Sequence, residues 1–156
     1  MLSKRKLCPP DIRWQRRDIK TVQLLAPALA KQAALDAGAK DAWMVEDGVV
    51  TEGSSNNAYI VTMDGTIVTR ALSNAILHGI TRRAVLGIAE REGLAVEERS
   101  FTPEEAYEAA EAFITSASTF VYPVVKIDDR ILGNGAPGPV ATKLRQLYIE
   151  MALAES

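Results

Sequence analysis

The sequence predicts a mixed α/β domain of the α+β kind, rich in strands. Three observations carry this. The chain has 156 residues, 47% hydrophobic and 24% charged, which suits one soluble globular domain with a real core. Strand-like runs outnumber helical ones. The two kinds do not alternate as regular βαβ units, which argues against a doubly wound parallel sheet.

The elements follow in order. Residues 1–10 carry basic side chains without the apolar core of a signal peptide, and are expected to form a leader, partly disordered, ahead of a domain at 11–156. "DIKTVQLL", 18–25, reads as a strand from its β-branched and apolar content. Pro27 then opens a helix that Gly38 stops. "DAWMVED" is a strand. "VVTEGSSNNAYIVT", 49–62, reads as strand, polar interruption, strand, with a turn at Asp64-Gly65 before a third strand. In "GITRRAVLGIAEREG", Ile80, Ala84, Val85 and Ile88 make the apolar face of a helix. "LAVEERSF" is a strand. Thr102, Pro103 and Glu105 spell a capping box. "AFITSASTFVYPVVKIDD" holds two strands around a corner, and "KIDDR" is a surface hairpin. A Gly/Pro loop leads into a terminal amphipathic helix. Trp43 and Tyr59 are expected in the core.

Composition excludes several classes. The formal net charge of −2 gives no general pull toward nucleic acid or membrane. Seven basic residues from Lys4 to Lys20 crowd the start, against Asp11 and Asp18. Without an aromatic platform they read as a solvated leader rather than a nucleic-acid arm. The single cysteine, Cys8, forbids an internal disulfide and fits a reducing, cytoplasmic setting. No apolar run is long enough to span a bilayer, and there is no metal-ligand spacing, GxGxxG or Walker sequence.

Four stretches carry chemistry. Lys20 follows "RRDI" and precedes apolar residues; a desolvated lysine is a nucleophile for carbonyls, although most strand lysines face solvent. Glu52 sits in "TEGSSNN", where an ionised carboxylate could pair with a protonated ring nitrogen such as the pyridine of pyridoxal phosphate. The alternative is a turn whose Ser and Asn side chains satisfy free backbone groups. "LHGITRR", 77–83, could seat a phosphate on a helix N-terminus with the Thr81 hydroxyl, or be an ordinary capped helix. "TSAST", 115–119, could add phosphate donors or be a tight bend. His78 is read as a packing or capping residue.

In this order, "RWQRRDIKTVQLL", "VTEGSSNNAYIV", "GITR" and the Ser/Thr corner resemble the fold-type IV pyridoxal-phosphate enzymes, most of all D-amino acid aminotransferases. The resemblance runs from about Asp11 nearly to the C-terminus and covers the strand-rich C-terminal domain of that fold. It implies pyridoxal 5′-phosphate as cofactor and amino-group transfer from a D-amino acid, such as D-alanine, to a 2-oxo acid through a Lys20 aldimine. Lys20 matches the lysine that also moves the substrate proton, and Glu52 the acid beside the pyridine nitrogen. Ser54 and Ser55 match neighbours that help hold the ring, and Leu77 the apolar residue on its face. Ile80 and Thr81 match the phosphate-binding helix start. Ser116 and Ala117 match a phosphate-binding pair, of which Ala117 lacks the usual hydroxyl.

Branched-chain L-amino acid aminotransferases and aminodeoxychorismate lyase share the scaffold, and a non-catalytic interaction module is a further alternative. Family members carry an N-terminal domain before the lysine, with an arginine for the phosphate and groups that trap the substrate carboxylate. That domain is expected to be absent here, leaving a bare apolar surface and a homodimer or larger homo-oligomer.

Overall fold

The computed structural model describes residues 5–154. Its elements are β1 (Arg5–Leu7), α1 (Leu25–Asp36), β2 (Asp41–Glu46), β3 (Val49–Gly53), β4 (Asn57–Val61), β5 (Ile67–Thr69) and α2 (Ile80–Arg91). There follow β6 (Val96–Glu98), α3 (Pro103–Tyr107), β7 (Glu111–Ser116), β8 (Phe120–Val124), β9 (Lys126–Ile127), β10 (Arg130–Ile131) and α4 (Pro139–Ala154). They build two five-stranded sheets, ordered β10-β9-β1-β2-β3 and β6-β5-β4-β7-β8. The first is mixed, because β1 runs parallel to both β2 and β9. The second is antiparallel except for the β5–β6 pair.

Side-chain alternation assigns the layers. Trp43 of β2, Val50 of β3, and Ala58 and Ile60 of β4 share one core with Phe101 and Ile114, between the two sheets. Tyr59, Val61 and Phe113 point the other way, onto Val85 and Ile88 of α2 and Leu144 of α4. Ala42 and Met44 back onto Ala30 and Ala34 of α1. Both faces of β4 are therefore covered, and all five of its residues are buried. A strand buried on both faces reads as a continuous apolar run rather than an alternating one.

The capping box at Thr102 is present, with both reciprocal bonds made. Gly38 follows α1 at φ 74°, the left-handed stop that favours glycine. The hairpin at 126–131 forms from β9 and β10. Trp43 and Tyr59 are fully buried.

Four expectations need correction. Residues 5–7, assigned to the leader, form β1 with a parallel partner on each side; residues 1–4 lie outside those described. Residues 18–24 form no strand. They pair with no strand, and local bonds form there instead: Arg16 to Asp18 at 2.9 Å, and the Gln23 N–H to Thr21 Oγ1 at 3.2 Å. α1 begins at Leu25, which puts Pro27 inside its first turn. Ile80, assigned to the apolar face of α2, is 71% exposed, and the buried positions there are Val85, Ile88 and Ala89.

Candidate active site

A cavity of about 1380 Å³ opens where the two sheets meet the start of α2. Its walls come from the irregular segment 12–24, the start of α1, the end of β3 with the 54–56 link, residues 77–79 with the first turn of α2, and the β7–β8 corner. Lys20, Glu52, Ser54, Ser55, Leu77, Ile80, Thr81, Ser116 and Ala117 all line it. The stretches singled out in the sequence therefore converge, although they span almost a hundred positions.

Glu52 is the most constrained of them, at 4% exposed. Its Oε1 accepts Arg13 Nη1 at 2.5 Å. Its Oε2 accepts Asn57 Nδ2 at 2.9 Å, and the Leu77 N–H reaches both oxygens at 3.1 and 3.0 Å. Burial pushes the Glu52 carboxyl up from its ordinary value, while the charge and hydrogen bond of Arg13 and the Leu77 N–H pull it down. Burial prevails in the balance. Every bonded neighbour of the two oxygens is nonetheless a donor, the arrangement that a carboxylate requires. A carboxylate offers about four lone-pair positions, and the contacts from Arg13, Asn57 and the shared Leu77 N–H match them, two on each oxygen.

Arg13 is held in turn. Its Nε and Nη2 grip Asp11 at 2.9 and 2.7 Å. Asp11 also accepts Thr51 Oγ1 at 2.6 Å and lies 3.6 Å from Arg17, which clasps Glu46 at 2.8 and 2.7 Å. For Asp11, burial pushes up, but bonds from Arg13 and Thr51 and the charge of Arg13 outweigh it and hold the carboxyl below its usual range. The basic residues 13 and 17, expected in a solvated cluster, are thus folded into an ion network beside Glu52. Acids brought in from β2 and β3 compensate charges that look unpaired in the sequence.

The link between β3 and β4 explains its own polar content. Ser54 Oγ donates to Asp41 of β2, as does Asn56 Nδ2 at 2.7 Å. Asn57 Nδ2 also donates to the Leu77 carbonyl at 2.9 Å. The Ser54 hydroxyl is therefore engaged with β2, and Ser55 stands exposed on the wall. "GSSNN" is not a hairpin turn: it carries the chain from the first sheet to the second.

Across the cavity, α2 begins at Gly79 without a side-chain cap. A Cβ on Gly79 would come within 2.4 Å of Asn57 Oδ1, so only glycine permits this approach. The first N–H groups of any α-helix lack intrahelical partners. Thr81 is 2% exposed, and its Oγ1 has no partner. Ser116 Oγ contacts Thr119 Oγ1 at 2.7 Å and accepts the Thr119 N–H at 3.1 Å, which shapes the β7–β8 corner. Ala117 is exposed there. Lys20 is exposed on the opposite segment, where a strand was expected. His78 is exposed and reaches the Ser73 carbonyl at 3.3 Å, a local loop contact.

Arg13, Asp11, Asn57 and Arg82 also belong to this region but escaped the sequence reading. Asn57 had a signal, since it ends the polar run after Glu52. Arg13 had none beyond charge, because its partner Glu52 is 39 positions away.

An acid at the end of a strand of the first sheet thus lines the same cavity as an uncapped helix start packed on the second. The chain belongs to the amino-transferase class IV family, which matches residues 3–127. Among curated relatives, the D-alanine aminotransferase of Bacillus licheniformis is 41% identical over 146 residues, 94% of this chain and 51% of the relative. That of Staphylococcus haemolyticus is 43% identical, covering 90% and 50%. Among solved structures, the T.th. branched-chain amino acid aminotransferase complexed with N-(5′-phosphopyridoxyl)-L-glutamate superposes with TM-score 0.89 at 36% identity, covering 94% and 51%. The PLP form of the Thermobaculum terrenum branched-chain enzyme gives TM-score 0.87 at 30% identity, covering 96% and 51%. The chain spans about half the length of the relatives it matches.

Proposed function

We propose that this chain is the cofactor-bearing part of a pyridoxal-5′-phosphate-dependent aminotransferase that takes the amino group of a D-amino acid, such as D-alanine, and gives it to a 2-oxo acid. One observation carries the reading: the residues that the family resemblance names, from Lys20 to Ala117, border one cavity. The residues fit the cofactor on independent grounds. Thr81 Oγ1 is a buried donor without a partner beside an uncapped helix start, which suits a phosphate. Glu52 is a buried acid on the cavity wall whose bonded neighbours are all donors, a setting that suits exchange of a donor for a protonated ring nitrogen.

When bound, the cofactor supplies an electron sink for negative charge at the substrate Cα. The chain's own groups do the rest. Lys20 Nζ is the nucleophile on the wall and moves the proton at Cα. Glu52 holds a proton on the ring nitrogen, with Arg13, Asn57 and the Leu77 N–H fixing its orientation. Leu77 covers a ring face and excludes water. Ile80, Thr81, Ser116 and the Ala117 N–H receive the phosphate.

The D-amino acid preference is supported by the names of the curated relatives. A second reading, transfer from branched-chain L-amino acids, is supported by the solved neighbours. Assembly as a homodimer or larger homo-oligomer is supported by apolar side chains at the cavity mouth, with Val22 95% exposed and Leu25 74%. Among the described residues no helix is long and apolar enough to cross a membrane.

The test is borohydride reduction of the purified chain with pyridoxal 5′-phosphate, then peptide mapping. A single adduct on Lys20, lost in Lys20→Ala, is expected. Turnover with D-alanine and 2-oxoglutarate, against L-leucine, then separates the two readings. Adducts scattered over surface lysines would sink the proposal.

A further inference from the structure

Arg82 stands in the first turn of α2 and is 3% exposed. Its Nη2 donates to the Arg70 carbonyl at 3.0 Å and pairs with Glu98 Oε2 at 2.6 Å. Its Nε is buried and has no partner. One position earlier, Thr81 Oγ1 is in the same condition. Both residues line the cavity. Buried polar atoms in folded proteins are almost always bonded. Two donors without a partner lie on consecutive residues of the cavity wall, at the positive end of a 12-residue helix, where an acceptor from outside would find them.

The surroundings agree on the sign. Thr115, on the same wall, bonds Tyr59 Oη at 3.1 Å. Burial pushes the Tyr59 phenol up, and besides its Thr115 bond the charge of Arg82 pulls it down while that of Glu98 pushes it up. Arg82 and Glu98 thus act on this wall with opposite signs. Glu98 belongs to β6, an edge strand, and its side chain is 47% exposed. Solvent screens Glu98 more than it screens Arg82, so the buried side of the pair keeps a net positive field.

We infer that Arg82 is an anion-binding residue of this cavity: its guanidinium supplies the positive charge under a phosphate seated on the first turn of α2, and Glu98 tempers that charge from the solvent side. Identifying the phosphate as the cofactor's rests on the function proposed above; the charge arrangement does not. The other groups of this turn, Thr81 Oγ1 and the first N–H groups of α2, are neutral donors. Charge-assisted hydrogen bonds are roughly twice as strong as neutral ones.

An ion pair that only ties α2 to β6 makes a different prediction. Removing either partner would then lower stability and leave anion affinity alone. The experiment measures affinity for inorganic phosphate by titration calorimetry in the wild type, Arg82→Gln and Glu98→Gln. Pyridoxal 5′-phosphate and pyridoxal, which lacks the phosphate, are titrated in parallel. Glu98→Gln is expected to bind inorganic phosphate and pyridoxal 5′-phosphate about threefold tighter, and Arg82→Gln about tenfold weaker, as expected for a hydrogen bond to a charged group. Pyridoxal binding stays the same in both. Glu98→Gln carries the test if Arg82→Gln does not fold. Phosphate affinity that is unchanged or weaker in folded Glu98→Gln overturns the inference, as does a wild type that binds no phosphate. A wild type that binds phosphate with the expected pattern but carries no adduct on Lys20 keeps Arg82 in its role and overturns the cofactor reading instead.

Discussion

Arg13 joins two carboxylates of opposite tendency. It holds Asp11 below the ordinary carboxylate value of 3.8, against the push of burial, whereas Glu52 stays raised by burial above 4.5. The signs of the two linkages differ. A depressed carboxyl stabilises the fold above its unfolded pKa and loses that contribution as pH falls through the folded value. A raised carboxyl withdraws stability as pH rises through its own range. Glu46, lowered chiefly by its bond to Arg17, adds to the Asp11 side. The thermal midpoint should therefore drop as pH falls below about 4, the ordinary range of these acids. Asp11→Asn should flatten that dependence and cost about 3 kcal/mol at neutral pH, the lower range for breaking a buried pair. A midpoint insensitive to acid would remove Asp11 from this role. Glu52 was legible in the sequence because polar residues crowd it between two apolar runs. Arg13 was not, because an ion pair across the fold leaves no local pattern.

Helices announced themselves through end chemistry. The Thr102 capping box and the Gly38 stop are local, so the sequence states them fully. The supposed strand at 18–25 failed for the converse reason. A strand needs a neighbour's edge, and composition cannot say whether one is there. The start of α4 hides another non-local device. Glu111 of β7 accepts the Val140 and Ala141 N–H groups at 3.0 Å each, and a Cβ on Gly138 would collide with its carboxyl. A strand carboxylate thus caps a helix about thirty positions later. Glu111→Gln keeps an acceptor but removes the charge facing the helix dipole. It should cost about 1 kcal/mol, the scale of a partly buried dipole contact, measurable as a lower urea midpoint with an unchanged slope. An unshifted midpoint would mean that water or backbone groups replace the carboxylate.

At the scale of the molecule, composition and element order indicated a strand-rich mixed domain, but the division into two sheets was hidden. The polar run at 53–57 looked like an ornate turn because sequence adjacency suggests strand adjacency; here it is a crossing. The cavity mouth carries Ile12, Trp14, Val22, Leu25 and Ile80, each at least 48% exposed. Burying such side chains is worth about 1.5–3 kcal/mol apiece. Sedimentation velocity should show mass rising with concentration. Val22→Ser with Leu25→Ser should raise the dissociation constant by at least about tenfold. A monomer at every concentration would count against self-association through this face.

The crossing has one more effect. Glu52 rides on the first sheet, whereas Ser116 ends a strand of the second and Thr81 opens the helix packed upon it. A ligand gripped at both ends would bridge the sheets as a staple does. Its occupancy would then enter the folding equilibrium of the entire chain by mass action, worth about 2.7 kcal/mol at a hundred times its dissociation constant. An empty chain would breathe along the line between the sheets, and a loaded one would open only as a unit.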